Sequence, residues 1–214
     1  MKNVLKAILV NTFIISMSAS LIYGLSWFKK NSLDNQIHKK APLFTALDSN
    51  GRKHTLSQYK GKIVVLEWKN HLCPFVKKHY ISKNMQSMQE TVTKKGVIWL
   101  SIISSAQGKQ GYVSAEECND IIKNEGSKAT AVLFDSEGVI GKKYNAKTTP
   151  HMFVINPEGD IVYEGAIDSI RSADPRDINL ATNYVIAAVT NLIKQKEINP
   201  SQTTAYGCSI KYNY

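Results

Sequence analysis

Three cysteines and five histidines carry most of the chemistry available to this 214-residue chain, and one cysteine stands out by its surroundings. Cys73 lies in Glu67-Trp-Lys-Asn-His-Leu-Cys-Pro-Phe-Val-Lys-Lys-His-Tyr80. The run Ile63-Val-Val-Leu66 just before it reads as a fully buried strand, and Pro74 suits the first turn of a helix, where its missing N–H costs nothing. A thiol at that junction faces the unpaired N–H groups and positive dipole end of a helix. Both favour the nucleophilic thiolate, and Lys77 one turn on adds a positive charge. These features make Cys73 a candidate reactive cysteine rather than a small buried apolar residue.

The remaining pattern supplies the elements that must hold that thiol. Ala41 to Asp48, the turn Ser49-Asn-Gly51 and the run from Lys53 read as a hairpin ahead of the buried strand ending at Leu66. A helix from 74 to about 92, with Val76, Tyr80, Met85 and Met88 inward, leads to a second buried strand, Val97-Ile-Trp-Leu-Ser-Ile-Ile103. Strand, helix and strand in this order make a crossover unit of a parallel sheet. Ser114-Ala-Glu-Glu117 is a capping box that opens the next helix, followed by Ala131-Val-Leu-Phe134 and a short helix near 139 to 144. The strands His151-Met-Phe-Val-Ile155 and Ile161-Val-Tyr163 are joined by Asn156-Pro-Glu-Gly159, good type I turn chemistry. A last helix is expected over about 178 to 196, with Val185, Ala188, Val189 and Leu192 on one face.

Five segments in order carry a resemblance to a known family: Trp68-Lys-Asn-His-Leu-Cys-Pro-Phe75, Asn84-Met-Gln86, Lys147-Thr-Thr-Pro-His-Met-Phe153, Gly165-Ala-Ile-Asp168 and Gly207-Cys-Ser-Ile-Lys211. From Ala41 to Tyr212 the chain resembles the thioredoxin-fold proteins grouped with alkyl hydroperoxide reductase and thiol-specific antioxidant, in particular a peroxiredoxin-like subgroup. The resemblance implies an α/β thioredoxin-like fold, a central mixed β-sheet flanked by helices with an N-terminal β-hairpin extension. It also implies thiol-based oxidoreductase chemistry at Cys73, namely peroxiredoxin-like reduction of a hydroperoxide as an antioxidant activity, with exchange on a protein thiol or disulfide as the alternative, an external thiol as reductant, no bound cofactor and no metal. The pattern departs from true peroxiredoxins at three places. Leu66 and Asn70 occupy the positions of their Pro and Thr, and Pro150 takes the place of their Arg. The dithiol of thioredoxins is missing too, because Pro74-Phe-Val76 follows Cys73. Thr149-Pro150 resembles the cis-proline that lies against the reactive cysteine in that fold. Trp68, Asn70, His71, Lys77, Thr149 and Pro150 are therefore the expected supporting residues.

A second thiol is available at the far end of the chain. Cys208 follows the last helix, and residues 197 to 207, fully extended, would reach roughly 35 Å. That suffices to return to Cys73 or to cross to a second subunit of a homodimer. Cys208 is expected to convert a Cys73 sulfenic acid to a disulfide, against the alternative of an inert tail thiol. Cys118 falls on the face of Ile121 and Ile122 in a capped helix and reads as core. His71 is either an acid/base partner of the thiol or a surface histidine satisfied by water. His71, Cys73, His79, His151 and Cys208 would be the donors of a copper-binding or chaperone module, the non-enzymatic alternative.

Composition sets the outer limits. Three cysteines are too few for a disulfide scaffold, and the length suits one sizeable core. Residues 1–28 read as a signal peptide or membrane anchor: Met1 to Lys6 is basic, Ala7 to Phe28 is free of charge, and Ser18-Ala-Ser20 offers a cleavage site. Either form predicts export to the periplasmic side, soluble or held at the inner membrane. Residues 29–40 form a polar linker, 41–196 the domain and 197–214 the tail. The net charge of +10 is scattered over many segments, which describes a solvated basic surface rather than a nucleic-acid interface.

Overall fold

Residues 39–213 are described by a computed structural model; the expected signal or anchor segment 1–28 and most of the linker lie outside them. Among the described residues no helix is long and apolar enough to cross a membrane.

The organising element is strand β4, Val64–Trp68, whose five residues are all buried because both faces of the sheet are covered. Alternate side chains part company there. Leu66 and Trp68 enter one core with Leu100, Ile102, Leu133, Tyr144 and Phe153. Val65 points the other way, into a core with Cys73, Val76, Met85, Trp99, Met152, Val154 and Val185. Glu67 shares that second face, and its carboxylate accepts from Trp99 Nε1 at 2.9 Å, Ser101 Oγ at 2.7 Å and Tyr80 Oη at 3.0 Å. Those donors satisfy a charge inside the core, where an unpaired carboxylate would be costly.

Strand β4 runs parallel to β5, Ile98–Ile103, which runs parallel to β6, Ala131–Phe134. On its other side β4 pairs antiparallel with β8, His151–Ile155, which pairs with β9, Asp160–Gly165. The two-residue β1, Lys39–Lys40, closes that edge on Asp160 and Ile161, so these lysines belong to the sheet rather than to the linker. The order of the six-stranded mixed sheet is β1-β9-β8-β4-β5-β6. The expected hairpin is β2, Thr45–Leu47, against β3, Lys53–Thr55. Its turn reaches the far edge, where Ser49 N donates to Val132 O and Asp48 bridges Leu133. The fold is thus the α/β, thioredoxin-like arrangement expected, with helices flanking the sheet and the hairpin at the N-terminal side.

Two helix boundaries differ from the sequence expectation. The helix expected from 74 to about 92 is broken into α1, Pro74–Ile81, and α2, Asn84–Thr93. At the break Lys83 adopts φ +62°, and Ser82 Oγ turns back to Lys78 O at 2.7 Å. Gln86 Nε2 then donates to Tyr80 O at 2.9 Å, so side chains replace the lost backbone ladder. The capping box opens α3, Ala115–Glu125, and α4 is Val139–Lys143. Likewise the last helix begins later than expected. Pro175–Leu180 is a 3-10 turn capped by Asp174, and α5, Tyr184–Ile193, starts at Asn183, whose side chain accepts from Ile186 N.

The tail after α5 is not a loose arm. Ile198, Tyr206, Ile210 and Tyr212 are buried, and Cys208–Ser209 forms β10, antiparallel to β7, Thr148–Thr149.

Candidate functional site

Cys73 is the N-cap of α1, with Pro74 in the first helical turn. Asn70 prepares the turn before it: its Oδ1 accepts from Leu72 N at 2.9 Å, its backbone O accepts from Cys73 N at 3.0 Å, and its Nδ2 donates to Gln110 O. Gly111 makes room for that amide, since a Cβ there would lie 2.5 Å from Asn70 Cγ. Trp68 serves the core below instead, donating from Nε1 to Ser104 Oγ at 3.1 Å and packing on Tyr144 and Phe153.

The Thr149–Pro150 peptide is cis, and the thiol of Cys73 donates to Thr149 O at 3.0 Å. From the other side β10 aligns Cys208 with Thr149, and the two sulfurs lie 2.7 Å apart, unbonded. This approach needs Gly207, whose φ is +135°: a Cβ there would lie 2.1 Å from Thr149 O. Cys73 is fully buried, whereas Cys208 is half-buried.

Burial alone pushes the Cys73 thiol up. Hydrogen bonds from the Cys208 thiol, the Thr149 hydroxyl and the backbone N–H groups of Cys208 and Val76 outweigh it and leave Cys73 below its ordinary value. Thr149 Oγ1 lies beside the sulfur, buried and with no hydrogen-bond partner at rest, so it is free to turn to an ionised sulfur. Cys208 moves the opposite way, up to about 11, through burial and then through the hydrogen bond and charge of Cys73. The two shifts are linked, because the contact between the sulfurs lowers Cys73 and raises Cys208.

Other expected partners are placed elsewhere. Lys77 bears on His71 rather than on the thiol: burial first, then Lys69 and Lys77, hold His71 below its usual range. A neutral His71 brings no positive charge to a thiolate, and its buried Nδ1 has no partner. Among the described residues no three potential metal donors come together. His79 takes Asn84 on its Nδ1 and faces Asp168, while His151 accepts from Lys147 N and lies against Phe153. Cys118 is buried with Ile103, Val113 and Val132, and burial pushes its thiol up.

Four residues that matter to this arrangement were not singled out from the sequence for a role here. Glu67 fell just past the run expected to be buried, Ile63 to Leu66, whereas the strand continues through it to Trp68. Gly207 and Asp168 sat in resembling segments without an assigned contact, and Tyr206 gave no signal at all. A measurable consequence of these opposite shifts is a separation in pH profile: the midpoint of Cys73 alkylation is expected below that of Cys118. Midpoints are the right comparison on single-cysteine-labelled peptides, because burial slows both reactions. A Cys73 midpoint at or above that of Cys118 would remove the thiolate assignment.

Comparison with known proteins agrees with this architecture. Residues 37–164 match the AhpC/TSA family. An uncharacterized conserved protein of Geobacillus kaustophilus superposes with TM-score 0.72 at 24% identity, over 82% of this chain and 92% of that one. A hypothetical protein of Sinorhizobium meliloti 1021 gives 0.68 at 23%, over 82% and 94%. A protein of Chlorobium tepidum assigned as the thiol:disulfide interchange protein DsbE gives 0.52 at 21%, over 71% and 96%. At such identities these structures share the thioredoxin-like fold. No match was found among curated proteins. With the family match spanning more than half its length, the chain belongs to the AhpC/TSA family.

Proposed function

We propose that this protein is a thiol-dependent oxidoreductase that cycles between a Cys73/Cys208 dithiol and the disulfide. The observation that carries the reading is the approach of the two sulfurs to 2.7 Å within one chain, with the lowered thiol on Cys73. Toward a disulfide substrate, the Cys73 thiolate attacks one substrate sulfur, forming a mixed disulfide and releasing the other sulfur as a thiolate. Cys208 then attacks the Cys73 sulfur and expels the second substrate thiolate, which takes up the Cys208 proton. Two electrons pass from the protein to the substrate, and an external thiol later restores the dithiol.

Hydroperoxide is the second reading, favoured by the family match. The thiolate attacks the terminal peroxide oxygen, the O–O bond breaks, an alcohol or water leaves, and Cys73 becomes a sulfenic acid. Attack by Cys208 then gives the same disulfide and releases water. The approach of Cys208 to Cys73 and the replacement of the peroxide-positioning residues by Leu66 and Asn70 support the disulfide substrate over this one. The uncharged segment 7–28 supports export as the setting, because a disulfide exchanger works where disulfides persist.

The test is peptide mass spectrometry of the parent protein and Cys208→Ser after exposure to glutathione disulfide or to hydrogen peroxide. The parent is expected to yield a Cys73–Cys208 peptide with both oxidants, and faster with the disulfide. Cys208→Ser is expected to stop at the glutathione adduct of Cys73, and under repeated peroxide to accumulate sulfinic acid that the parent avoids. Failure to find the Cys73–Cys208 peptide under either oxidant sinks the dithiol cycle. A faster reaction with peroxide moves the assignment to the hydroperoxide reading.

A further inference from the structure

The carboxylate of Asp168 is buried and joins the two chain segments that bring the sulfurs together. From the tail, Tyr206, two residues before Cys208, donates its hydroxyl to Asp168 Oδ1. From α1, which Cys73 caps, Lys78 places Nζ 3.4 Å from Asp168 Oδ2 and 3.4 Å from Ile170 O. Backbone N–H of Ile170 adds a third bond to the carboxylate, on Oδ1 at 3.1 Å. His79 Nε2, at 3.7 Å from Oδ2, completes the surroundings; burial holds that imidazole neutral, so Lys78 is the cation of the cluster. The Tyr206 ring meets Phe75, of the first turn of α1, edge to face with centroids 5.8 Å apart.

A buried ion pair is weak evidence of stability by itself, because desolvation offsets the attraction. What this one does is geometric. Lys78 fixes Asp168 to the helix that carries Cys73, and Tyr206 fixes the tail to Asp168, so one carboxylate registers both sulfur-bearing segments. We infer that Tyr206 and Asp168 form a latch that sets the effective concentration of Cys208 at Cys73, making Tyr206 a positioning residue for the redox pair. This rests on the dithiol reading above. The latch lies on the chain before Cys208, while Ile210 N to Lys147 O and Tyr212 Oη to Ala146 O hold the chain after it. Loss of the hydroxyl therefore loosens one side of the strand and leaves the other docked.

The experiment is Tyr206→Phe, which keeps the ring on Phe75 and removes only the hydroxyl, made in the parent and in Cys208→Ser. In the parent background the equilibrium constant for Cys73–Cys208 disulfide formation against glutathione is expected to fall about tenfold, the scale of a hydrogen bond to a charged acceptor. The alkylation midpoint of Cys73 is expected to rise with it, because Cys208 spends less time donating. In the Cys208→Ser background, where no disulfide forms, the same change is expected to leave the rate of mixed-disulfide formation at Cys73 with glutathione disulfide unaltered. Urea midpoints of all four proteins establish that each is folded. An unchanged equilibrium constant in Tyr206→Phe overturns the latch while leaving the dithiol cycle intact. An equal effect on Cys73 in both backgrounds overturns it as well, since Tyr206 would then act on the helix rather than through Cys208. Absence of the disulfide from the parent overturns the dithiol reading and the latch together.

Discussion

Gly207→Ala is expected to lift the tail strand from β7 and part Cys208 from Cys73. The backbone at 207 has φ +135°, where an L side chain is strained, and the added Cβ would stand 2.1 Å from Thr149 O and 2.8 Å from Thr149 C. Neither atom can swing aside like the end of a side chain, because Thr149 is main chain held between β10 and the Pro150 ring. Strained backbone of this kind costs about 1–3 kcal/mol before any clash is counted, and each ~1.4 kcal/mol is a tenfold change in population. The docked strand is thus expected to lose about 10- to 100-fold in occupancy relative to the lifted one. Glutathione redox titration reads this directly as a fall in the Cys73–Cys208 disulfide, and the buried Trp68 and Trp99 report by fluorescence whether the sheet is intact. A parent-like disulfide population in a folded Gly207→Ala protein would mean that β10 is not what brings the sulfurs together.

Acid is expected to weaken the whole fold well above the carboxylate range. Burial depresses both His79 and His151 from 6.5 to about 4 in the folded chain, the nearby Asp168 only partly opposing this for His79, and Lys147 adding to it for His151. A folded-state pKa below the unfolded one means that the unfolded chain takes up protons first. The stability that the two neutral imidazoles confer is therefore complete above pH 6.5 and is lost as pH falls from there toward 4. At about 1.4 kcal/mol for each pKa unit, each histidine removes roughly 3 kcal/mol across that window. Domains of this size commonly hold only about 5–15 kcal/mol, so the urea midpoint should drop steeply between pH 7 and 4.5. His79→Gln and His151→Gln should each flatten the slope. A midpoint constant over that range would show both rings in free exchange with water.

Much of this architecture could be read from the residues because its signals are local. Ile63-Val-Val-Leu66 has the uniform apolar character of a strand covered on both faces, and Ser114 with Glu117 caps a helix by contacts three residues apart. Cys73 was placed at a strand-to-helix junction for the same kind of reason. The break at Ser82 and Lys83 was not legible, because the helical periodicity continues through it and the compensating bonds from Gln86 and Asn84 arise only after α2 has turned. The true start of α5 was hidden likewise: Asn183 caps it, but the apolar pattern begins earlier. The tail's reach could be estimated from chain length, whereas its seat depends on a two-residue strand, a glycine that matters only against Thr149, and a hydroxyl paired to a distant carboxylate. The thiolate at Cys73 was expected from the helix end and Lys77. In the structure the groups that lower the Cys73 thiol are Cys208, Thr149 and backbone N–H groups, all but Val76 brought from far along the sequence.

The borders of the sheet decide how the molecule behaves toward its own copies. An unpaired strand edge is a template on which another chain can add. Among the described residues one border strand, β1, offers Lys39 and Lys40, both exposed and cationic, so an approaching strand meets a short edge of like charge there. At the opposite border the hairpin turn lies over β6, with Ser49 N already bonded to Val132 O. Edge-to-edge growth is thereby discouraged at both ends, by brevity and charge on one side and by occupation on the other, which leaves self-association to depend on the faces of the molecule rather than on its strands.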